Sequence, residues 1–337
     1  MSGSEQTVVR AAPPDAAPLV SVALASRNGE RFLPEALASL AAQTWAHVEL
    51  IAVDDGSSDR TGELLERYAE GRPLARVLHT GGVGPAAARA QALAGARGTF
   101  FAVQDDDDVS HPERLERQVR HLLAHPGTAL LGTAADVIDE SGARVSPYPL
   151  PLEPPAIRRT LRRAPAFVHG SVMMRREAYA AAGGYRAPFR AAEDYDLYLR
   201  MPADAVLETL PETLYAWRRH PGNSFARQRG DHLFFLATAR AFAAERRATG
   251  RDSVPLLASS VDREAFLAGY RFAGTLLLHL GEAYVREGRV AEARRFLGRA
   301  MAQGPRAAAL GWWALSFAVA LTPRAHAASA SAAGPTR

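Results

Sequence analysis

Residues 100–108, "FFAVQDDDD", end an apolar run on four consecutive aspartates, Asp105, Asp106, Asp107 and Asp108. Adjacent like charges repel, so two readings compete: an acidic turn that caps the next helix, or carboxylates gathered around a cation. Alternate residues at a strand end project to the same side, so Asp105 and Asp107 can point together. A divalent cation such as Mg2+ or Mn2+ takes hard oxygen ligands, and Mg2+ commonly uses one or two carboxylates plus phosphate oxygens. Two more acidic pairs stand out, Asp54-Asp55 in "VDDGSSD" and Glu193-Asp194 in "AEDYDLYLR". Their plain alternatives are an Asp-Gly turn and the acidic first turn of a helix. "WRRHPGNS" sets Arg218, Arg219 and His220 beside a Pro-Gly loop, against which stands a solvated basic loop.

The elements that position these groups are legible as alternating periodicities. "LVSVALAS", "VELIAVDD", "ARVLHT" and "TFFAVQ" have the short apolar character of buried strands. "LPEALASLAAQ", "SSDRTGELLERYAE" and "GPAAARAQALAGARG" between them have helical spacing, with Ser58 or Asp59 as candidate caps for the second. This β-α-β-α-β-α-β order predicts a parallel sheet with right-handed crossovers and helices on both faces. Ligands of such sheets bind beyond the carboxyl ends of the strands. "SRNG", "DDGSSD" and "DDDD" stand at such ends, after the first, second and fourth strands. "HPERLERQVRHLLAHP" reads as a helix, with Asp108 placed either to orient its neighbours or to start that helix, and "TALLGTAADVID", "FVHGSVMM" and "TLYAWRR" read as strands. From Asp231 onward the pattern is helical only.

Composition narrows the field. The 337 residues contain no cysteine, which excludes disulfides and thiolate metal sites, and no lysine. The net charge of +4 is modest and the arginines are scattered among acids, unlike the concentrated patch of a nucleic-acid binder. Residues 1–18 lack the basic-then-apolar pattern of a signal peptide and read as a disordered lead; residues 323–337 read as a disordered tail. Ala307–Thr322 is apolar and uncharged but shorter than the roughly 20 residues of a spanning helix. A soluble, cytoplasmic protein is expected, with peripheral membrane or protein-complex contact confined to the C-terminal helices.

Five blocks in order, "VSVALASRNGERFLPEALASLAAQTWAHVELIAVDDGSSDRT", "GPAAARAQALAGARGTFFAVQDDDDVSHPERLERQ", "GSVMMRREAYAAAGGY", "AEDYDLYLR" and "WRRHPGNS", resemble the family-2 inverting glycosyltransferases. The likeness covers residues 19–225; "SRN" departs from the Pro-Thr-Tyr-Asn run frequent in that family. It implies an α/β chain of GT-A fold, Rossmann-like with a mainly parallel sheet flanked by helices, over residues 19–230. An all-helical extension follows over 231–322. It further implies a nucleotide-sugar donor, with UDP the expected nucleotide, and a divalent metal, Mn2+ or Mg2+. The acceptor is then a glycan or lipid-linked glycan of bacterial surface polysaccharide.

By the same resemblance Asp105 and Asp107 are the aspartates of a DxD motif, with Asp107 first as metal ligand, and Asp106 reaches the ribose. Asp55 reads uracil with Asp54 close by, and Ser26, Arg27 and Asn28 form a third wall of the nucleotide pocket. Arg89 sits where the family often has an arginine or asparagine facing the nucleotide, with a surface arginine as the plain alternative. Asp194 is the base that takes the acceptor proton, and Glu193 positions it. Arg218, Arg219 and His220 are placed to close over the diphosphate as a mobile basic lid. "HGSVMM" borders the acceptor, with His169 as readily structural, and Asp196 is structural. Residues 280–305 resemble a single tetratricopeptide-type helix pair, which must pack on neighbours because one repeat cannot bury its own face. Two rivals remain: a nucleotidyltransferase, for which "ASRNGERF" is a poor phosphate loop, and a non-catalytic scaffold, against which both acidic sites argue. A dinucleotide dehydrogenase is excluded because no GxGxxG follows the first strand.

Overall fold

Four short strands, almost wholly apolar inside, carry the first half of the chain: β1 (Val20–Ser26), β2 (Val48–Asp54), β3 (Ala75–His79) and β4 (Phe100–Asp105). The computed structural model describes residues 17–223 and 229–321. Most of the expected lead and all of the expected tail lie outside the described residues. Two compact units divide the chain, Met1–Ala226 and Arg227–Arg337.

In the first unit, α1 (Leu33–Ala41), α2 (Thr61–Ala69) and α3 (Pro85–Ala94) alternate with the four strands. β1 pairs in parallel with β2 and β4, and β2 with β3, as the alternation requires. Val20, Val22, Leu24, Phe100 and Ala102 have no exposed surface, so β1 and β4 lie at the centre of the core. The other half of the sheet departs from expectation. β5 (Val109–Ser110), α4 (Arg114–Ala124), β6 (Thr128–Ile138) and β7 (Arg144–Pro147) follow, then α5 (Pro154–Leu161), β8 (Met173–Arg175) and α6 (Arg176–Ala181). α7 (Glu193–Arg200) and β9 (Val206–Arg218) complete the unit. The strand order is β3-β2-β1-β4-β8-β6-β9-β5, with β7 on β6. β8 is antiparallel to both β4 and β6, whereas β6 and β9 are parallel, so the sheet is mixed. Three residues are too few to show a period, which is why β8 was not legible as the strand that reverses the sheet.

β1, β2 and the turn before β4 are tied together by one buried acid. Glu49 accepts from Ser21 Oγ at 2.6 Å, Arg97 N at 2.5 Å and Gly98 N at 3.2 Å, and its side chain is 1% exposed. Burial alone would raise its pKa, but the bonds from Ser21 and Arg97 win and hold it below the ordinary 4.5.

The second unit consists of α8 (Arg229–Thr249), α9 (Val254–Ser259), α10 (Arg263–Gly269), α11 (Ala273–Arg286), α12 (Val290–Gln303) and α13 (Arg306–Leu321). Asp262 caps α10, accepting from Ala265 N at 2.8 Å. α11 and α12 are the helix pair seen in the sequence. A Cβ at Gly281 would sit 2.5 Å from Leu297 Cγ, so this close helix approach requires glycine. On α13, Ala309 and Ser316 are buried while Leu310 and Leu315 are exposed. No helix among the described residues is long and apolar enough to cross a membrane.

Removing the Glu49 carboxylate strands the Ser21 hydroxyl and Arg97 N, while Gly98 N keeps its bond to Ser21 Oγ at 2.8 Å. Glu49→Ala is expected to lower the unfolding free energy by about 2–3 kcal/mol in urea titration, and Glu49→Gln by less. Because the native pKa is depressed, the stabilising charge is present above the unfolded value and lost as pH falls through the native one. The gap between wild type and Glu49→Gln should therefore narrow in acid. A constant gap from neutral pH down to the acid transition would contradict this assignment.

Candidate active site

The carboxyl ends of β1, β2 and β4 come together as expected, and their loops interlock. After β1, Asn28 adopts a left-handed backbone, φ 56°, which asparagine tolerates better than most residues. Its Oδ1 accepts from Ser58 N at 2.8 Å, and its own N–H donates to Ser57 Oγ at 3.0 Å, joining the first loop to the second. Arg27 is exposed, and its guanidinium lies 3.2 Å from where a Cβ on Gly82 would stand. Ser26 Oγ donates to Asp106 Oδ2, joining the first loop to the aspartate turn. Gly29 sits over that bond: a Cβ there would lie 2.3 Å from Asp106 Oδ2.

After β2 the two aspartates do different jobs. Asp54 Oδ1 accepts from Ser57 N at 3.0 Å, and its Oδ2 lies 3.3 Å from His79 Nδ1. Asp55 accepts from Thr80 Oγ1 at 2.5 Å, Val83 N at 2.6 Å and Gly84 N at 2.8 Å. It thereby anchors the turn that starts α3.

Four aspartates end β4, and each has its own partner. Asp105 Oδ1 accepts from Arg89 Nη2 at 2.6 Å, and its N–H donates to Tyr215 Oη at 3.3 Å. Asp106 holds the Ser26 bond, and its pKa is pushed up to about 7, by burial first and by the Asp107 charge second. Asp107 Oδ2 accepts from Asn223 Nδ2 at 2.9 Å and lies 2.9 Å from His220 Nε2. Asp108 is 1% exposed; its Oδ1 accepts from Arg218 N at 2.8 Å while its Oδ2 is buried without a hydrogen-bond partner. Burial, then Asp107, raise the pKa of Asp108. The short β5 separates it from α4, so Asp108 does not start that helix.

The basic segment corrects the lid reading in one respect. Arg218 is 1% exposed, donating through Nε to Asp107 O at 2.8 Å, through Nη2 to Glu35 Oε2 at 2.5 Å and through Nη1 to Asp139 O at 3.1 Å. It also lies 4.9 Å above the Phe32 ring. Such a side chain is a strut beneath the aspartate turn and cannot swing over a diphosphate. Arg219 is exposed, and its backbone N–H donates to Ile138 O at 2.9 Å. His220 and Asn223 form a turn, His220 N donating to Asn223 Oδ1 at 2.7 Å, and present both side chains to Asp107. Ser224, the last residue of the quoted segment, lies outside the described residues.

Glu193 and Asp194 open α7 immediately after Ala192, a non-glycine residue with φ 56°. A left-handed alanine is strained, and here the strain fixes where the two acids point. Glu193 is 7% exposed and accepts from Arg89 Nη1 at 2.5 Å. Asp194 is half-buried; burial, and then the Glu193 charge, push its pKa up to about 7. Asp196 is fully buried between Arg186 and Arg200 and is structural. His169 is held between Tyr198 Oη at 2.9 Å and Tyr185 Oη at 3.1 Å, and burial pushes its pKa down to about 3, so it is neutral.

The sequence missed an inner layer. Arg114 has no exposed surface, donates to Val103 O at 3.0 Å and to Gly170 O, and lies 5.3 Å from the Tyr215 ring centre. Its signal was a polar pair at helical spacing, Arg114 and Gln118, on the face of α4 that also buries Leu115, Val119 and Leu122. Glu35, Tyr215 and Asn223 had no such signal, because their partners are 110 or more residues away.

With the geometry in place, the chain can be set against known proteins. Residues 21–183 match the family described as Glycosyl transferase family 2. A putative glycosyltransferase, EpsE of Bacillus subtilis, is 35% identical over 206 residues, covering 60% of this chain and 73% of EpsE. The chain belongs to glycosyl transferase family 2.

This glycosyltransferase is also 32% identical over 217 residues to the O-antigen biosynthesis protein RfbC of Myxococcus xanthus, 63% of this chain but 17% of that longer protein. Among solved structures, S. aureus TarS in complex with UDP shares the fold at 17% identity, with a TM-score of 0.56 over 88% of this chain and 90% of that one. Mannosyltransferase PcManGT from Pyrobaculum calidifontis, in complex with GDP-Man and Mn2+, is similar at 20% identity and a TM-score of 0.54, covering 94% and 85%. The fold is therefore that of the GT-A glycosyltransferases, α/β with C-terminal helices.

Donor chemistry at the aspartate turn suits a divalent cation. Asp107 offers a half-buried hard oxygen of the kind Mn2+ or Mg2+ takes, with the imidazole of His220 2.9 Å from its Oδ2. Asp105 is less free, since Arg89 holds its Oδ1, and its Oδ2 lies 3.1 Å from a Cβ built on Gly170. Among the described residues no three His, Asp or Glu side chains are already grouped as a metal cage.

The two neighbouring arginines separate support from surface. Arg218→Leu should cost about 2–3 kcal/mol of unfolding free energy, because it strips Asp107 and Asp139 carbonyls and the Glu35 carboxylate of a charged donor. Arg219→Ala should stay within about 0.5 kcal/mol of wild type. Equal melting curves for both variants would remove the strut.

Proposed function

We propose that this glycosyltransferase is inverting and metal-dependent, moving a sugar from a UDP-sugar to a hydroxyl of a glycan or lipid-linked glycan in bacterial surface polysaccharide assembly. The observation that carries the reading is that one arginine, Arg89, bonds both Asp105 of the aspartate turn and Glu193, the residue next to the half-buried Asp194. The diphosphate and the acceptor hydroxyl are thereby assigned separate carboxylates, Asp107 and Asp194.

Asp107, with His220 beside it, is assigned as the cation ligand, and Asp105 supports the turn from Arg89. A bound Mn2+ or Mg2+ supplies positive charge against the diphosphate as the sugar leaves it. Asp106 is assigned to the ribose, with Ser26 fixing its carboxylate. Asp54 and Asp55 hold the loop that meets the base, Asp55 with lone pairs left for the uracil imide N–H. Arg27 and Arg219 are exposed cations at the rim, suited to phosphate or base contacts.

In the transfer itself the acceptor oxygen forms a bond to the anomeric carbon as the bond to the diphosphate oxygen breaks. The leaving electron pair stays with the diphosphate, and the acceptor proton passes to an oxygen of Asp194. An ordinary aspartate is a weak base, but one with a pKa of about 7 is matched to neutral pH. UDP-bound TarS, GDP-mannose- and Mn2+-bound PcManGT and the O-antigen protein RfbC support nucleotide-sugar, metal and polysaccharide in turn, each as a property of a relative.

Calorimetric titration with UDP, GDP and CDP, with and without Mn2+, tests the donor. UDP binding that needs Mn2+ and is abolished in Asp107→Ala is expected; equal, metal-independent binding of all three would overturn the donor assignment. Asp194→Asn should keep UDP binding and lose about 10²–10⁴-fold in turnover. The pH dependence follows from the raised pKa: Asp194 must be ionised to act, so kcat/KM should rise with pH and level off above about 7. A profile flat from pH 5 to 9, or turnover surviving Asp194→Asn, would exclude it as the base.

A further inference from the structure

Arg89 was expected to face the nucleotide, and the structure turns it inward. Its side chain is 9% exposed and projects from the second turn of α3 into the space between two elements remote in sequence. One terminal nitrogen donates to Asp105 Oδ1 at the end of β4, 2.6 Å away; the other donates to Glu193 Oε1 at the start of α7, 2.5 Å away. The planar guanidinium fixes the angle between its two terminal nitrogens, so it works as a rigid spacer as well as a counter-charge. The Glu193 contact is buried, with that side chain 9% exposed, and the Asp105 contact is partly buried, at 22%.

The helix that carries Arg89 is held at its other end as well. Asp55 accepts from Val83 N and Gly84 N, the residues that lead into Pro85 at the start of α3. One short helix thus connects the base wall, the aspartate turn and the Glu193–Asp194 pair. Asp194 has no such strut of its own among the hydrogen bonds described above, and its place depends on Glu193 beside it.

We propose that Arg89 is a positioning residue for transfer: its guanidinium sets the distance between the donor end, through Asp105, and the base end, through Glu193, without touching the nucleotide. The proposal rests on the assignment of Asp194 as base. It distinguishes Arg89 from a phosphate or base contact, whose loss would appear in donor affinity. It also distinguishes it from a purely structural ion pair, which a lysine would largely replace. A lysine ammonium is a single point, and it cannot hold two carboxylates in a fixed fork.

The test uses the full chain, with UDP and Mn2+ as the binding probe and UDP release from the donor sugar-nucleotide as the turnover assay. Arg89→Lys should bind UDP within about threefold of wild type while kcat falls by about 100-fold, the scale of a displacement of roughly 1 Å at a reacting group. Glu193→Gln should show a loss of the same kind, and Arg89→Lys with Glu193→Gln should be no slower than the worse single variant, because both changes break one joint. Arg89→Met is a harsher version, and the lysine pair carries the test if it does not fold. UDP affinity falling in step with kcat would make Arg89 a nucleotide contact and overturn the proposal. Wild-type turnover in Arg89→Lys, or multiplying losses in the double variant, would overturn it as well. Failure of the base assignment reads differently: Asp194→Asn would then turn over normally whatever Arg89 does.

Discussion

Four carboxylates in a row at the end of a buried strand are the constraint around which the first unit is built. Left alone they would repel one another and lose hydration together, and the raised pKa values of Asp106 and Asp108 show that both effects persist. Buried arginines from three separate elements answer them. Arg89 of α3 meets Asp105 from one side, Arg218 at the end of β9 holds Asp108 and the Asp107 carbonyl from the other, and Arg114 of α4 lies beneath. Arg114 bonds carbonyl oxygens rather than a carboxylate, and burial pulls its pKa down to about 10 against the pull of Tyr215, Asp105 and Asp108. The field of the acids above it offsets only part of that cost of burial.

That arrangement explains why the second half of the sheet is mixed. To bring Arg218, His220 and Asn223 to Asp107, β9 must run parallel to β6 and end beside the end of β4. β8 lies between β4 and β6, antiparallel to both, and α5, α6 and α7 lie in the connection that returns the chain from β6 to β9. The register of β6 on β9 shifts at Thr128/Leu130, Thr133/Ala134 and Ala134/Ala135. Irregularities of this kind bend a strand and re-aim its end. Tyr215 then packs so close to Gly170 that a Cβ there would meet its hydroxyl oxygen at 1.8 Å.

Legibility in the sequence followed the range of the interactions. β1 to β4 and their helices were visible because each is a local period, and the acidic clusters marked the strand ends. The roles of Asp196 and of the α11–α12 pair were also local, a helix turn in one case and small residues at repeat spacing in the other. Arg218 was misread because three adjacent cations, Arg218, Arg219 and His220, look alike in a string. Strand alternation then sends the first inward, the second to solvent and the third onto Asp107. Arg89 was misread for a related reason: an arginine on an alanine-rich helix gives no sign that two acids, 16 and 104 residues further on, converge on it.

The contacts between the two halves of the first unit have a consequence for how such a chain can diversify. Residues up to Asp108 hold the proposed nucleotide-base wall and the aspartate turn, and residues from Glu193 to Asn223 hold the proposed catalytic base, the strut and the turn beside Asp107. The joints that unite them include Arg89 with Glu193, Asp105 with Tyr215, Asp107 with His220 and Asn223, and Arg218 with Asp107, Asp108 and Glu35. A recombination event that exchanged the later segment could change the acceptor side wholesale, while inheriting donor handling unchanged, provided those joints were kept. The fold is in that sense a socket with a set of pins, and variation between the pins is free to explore new acceptors.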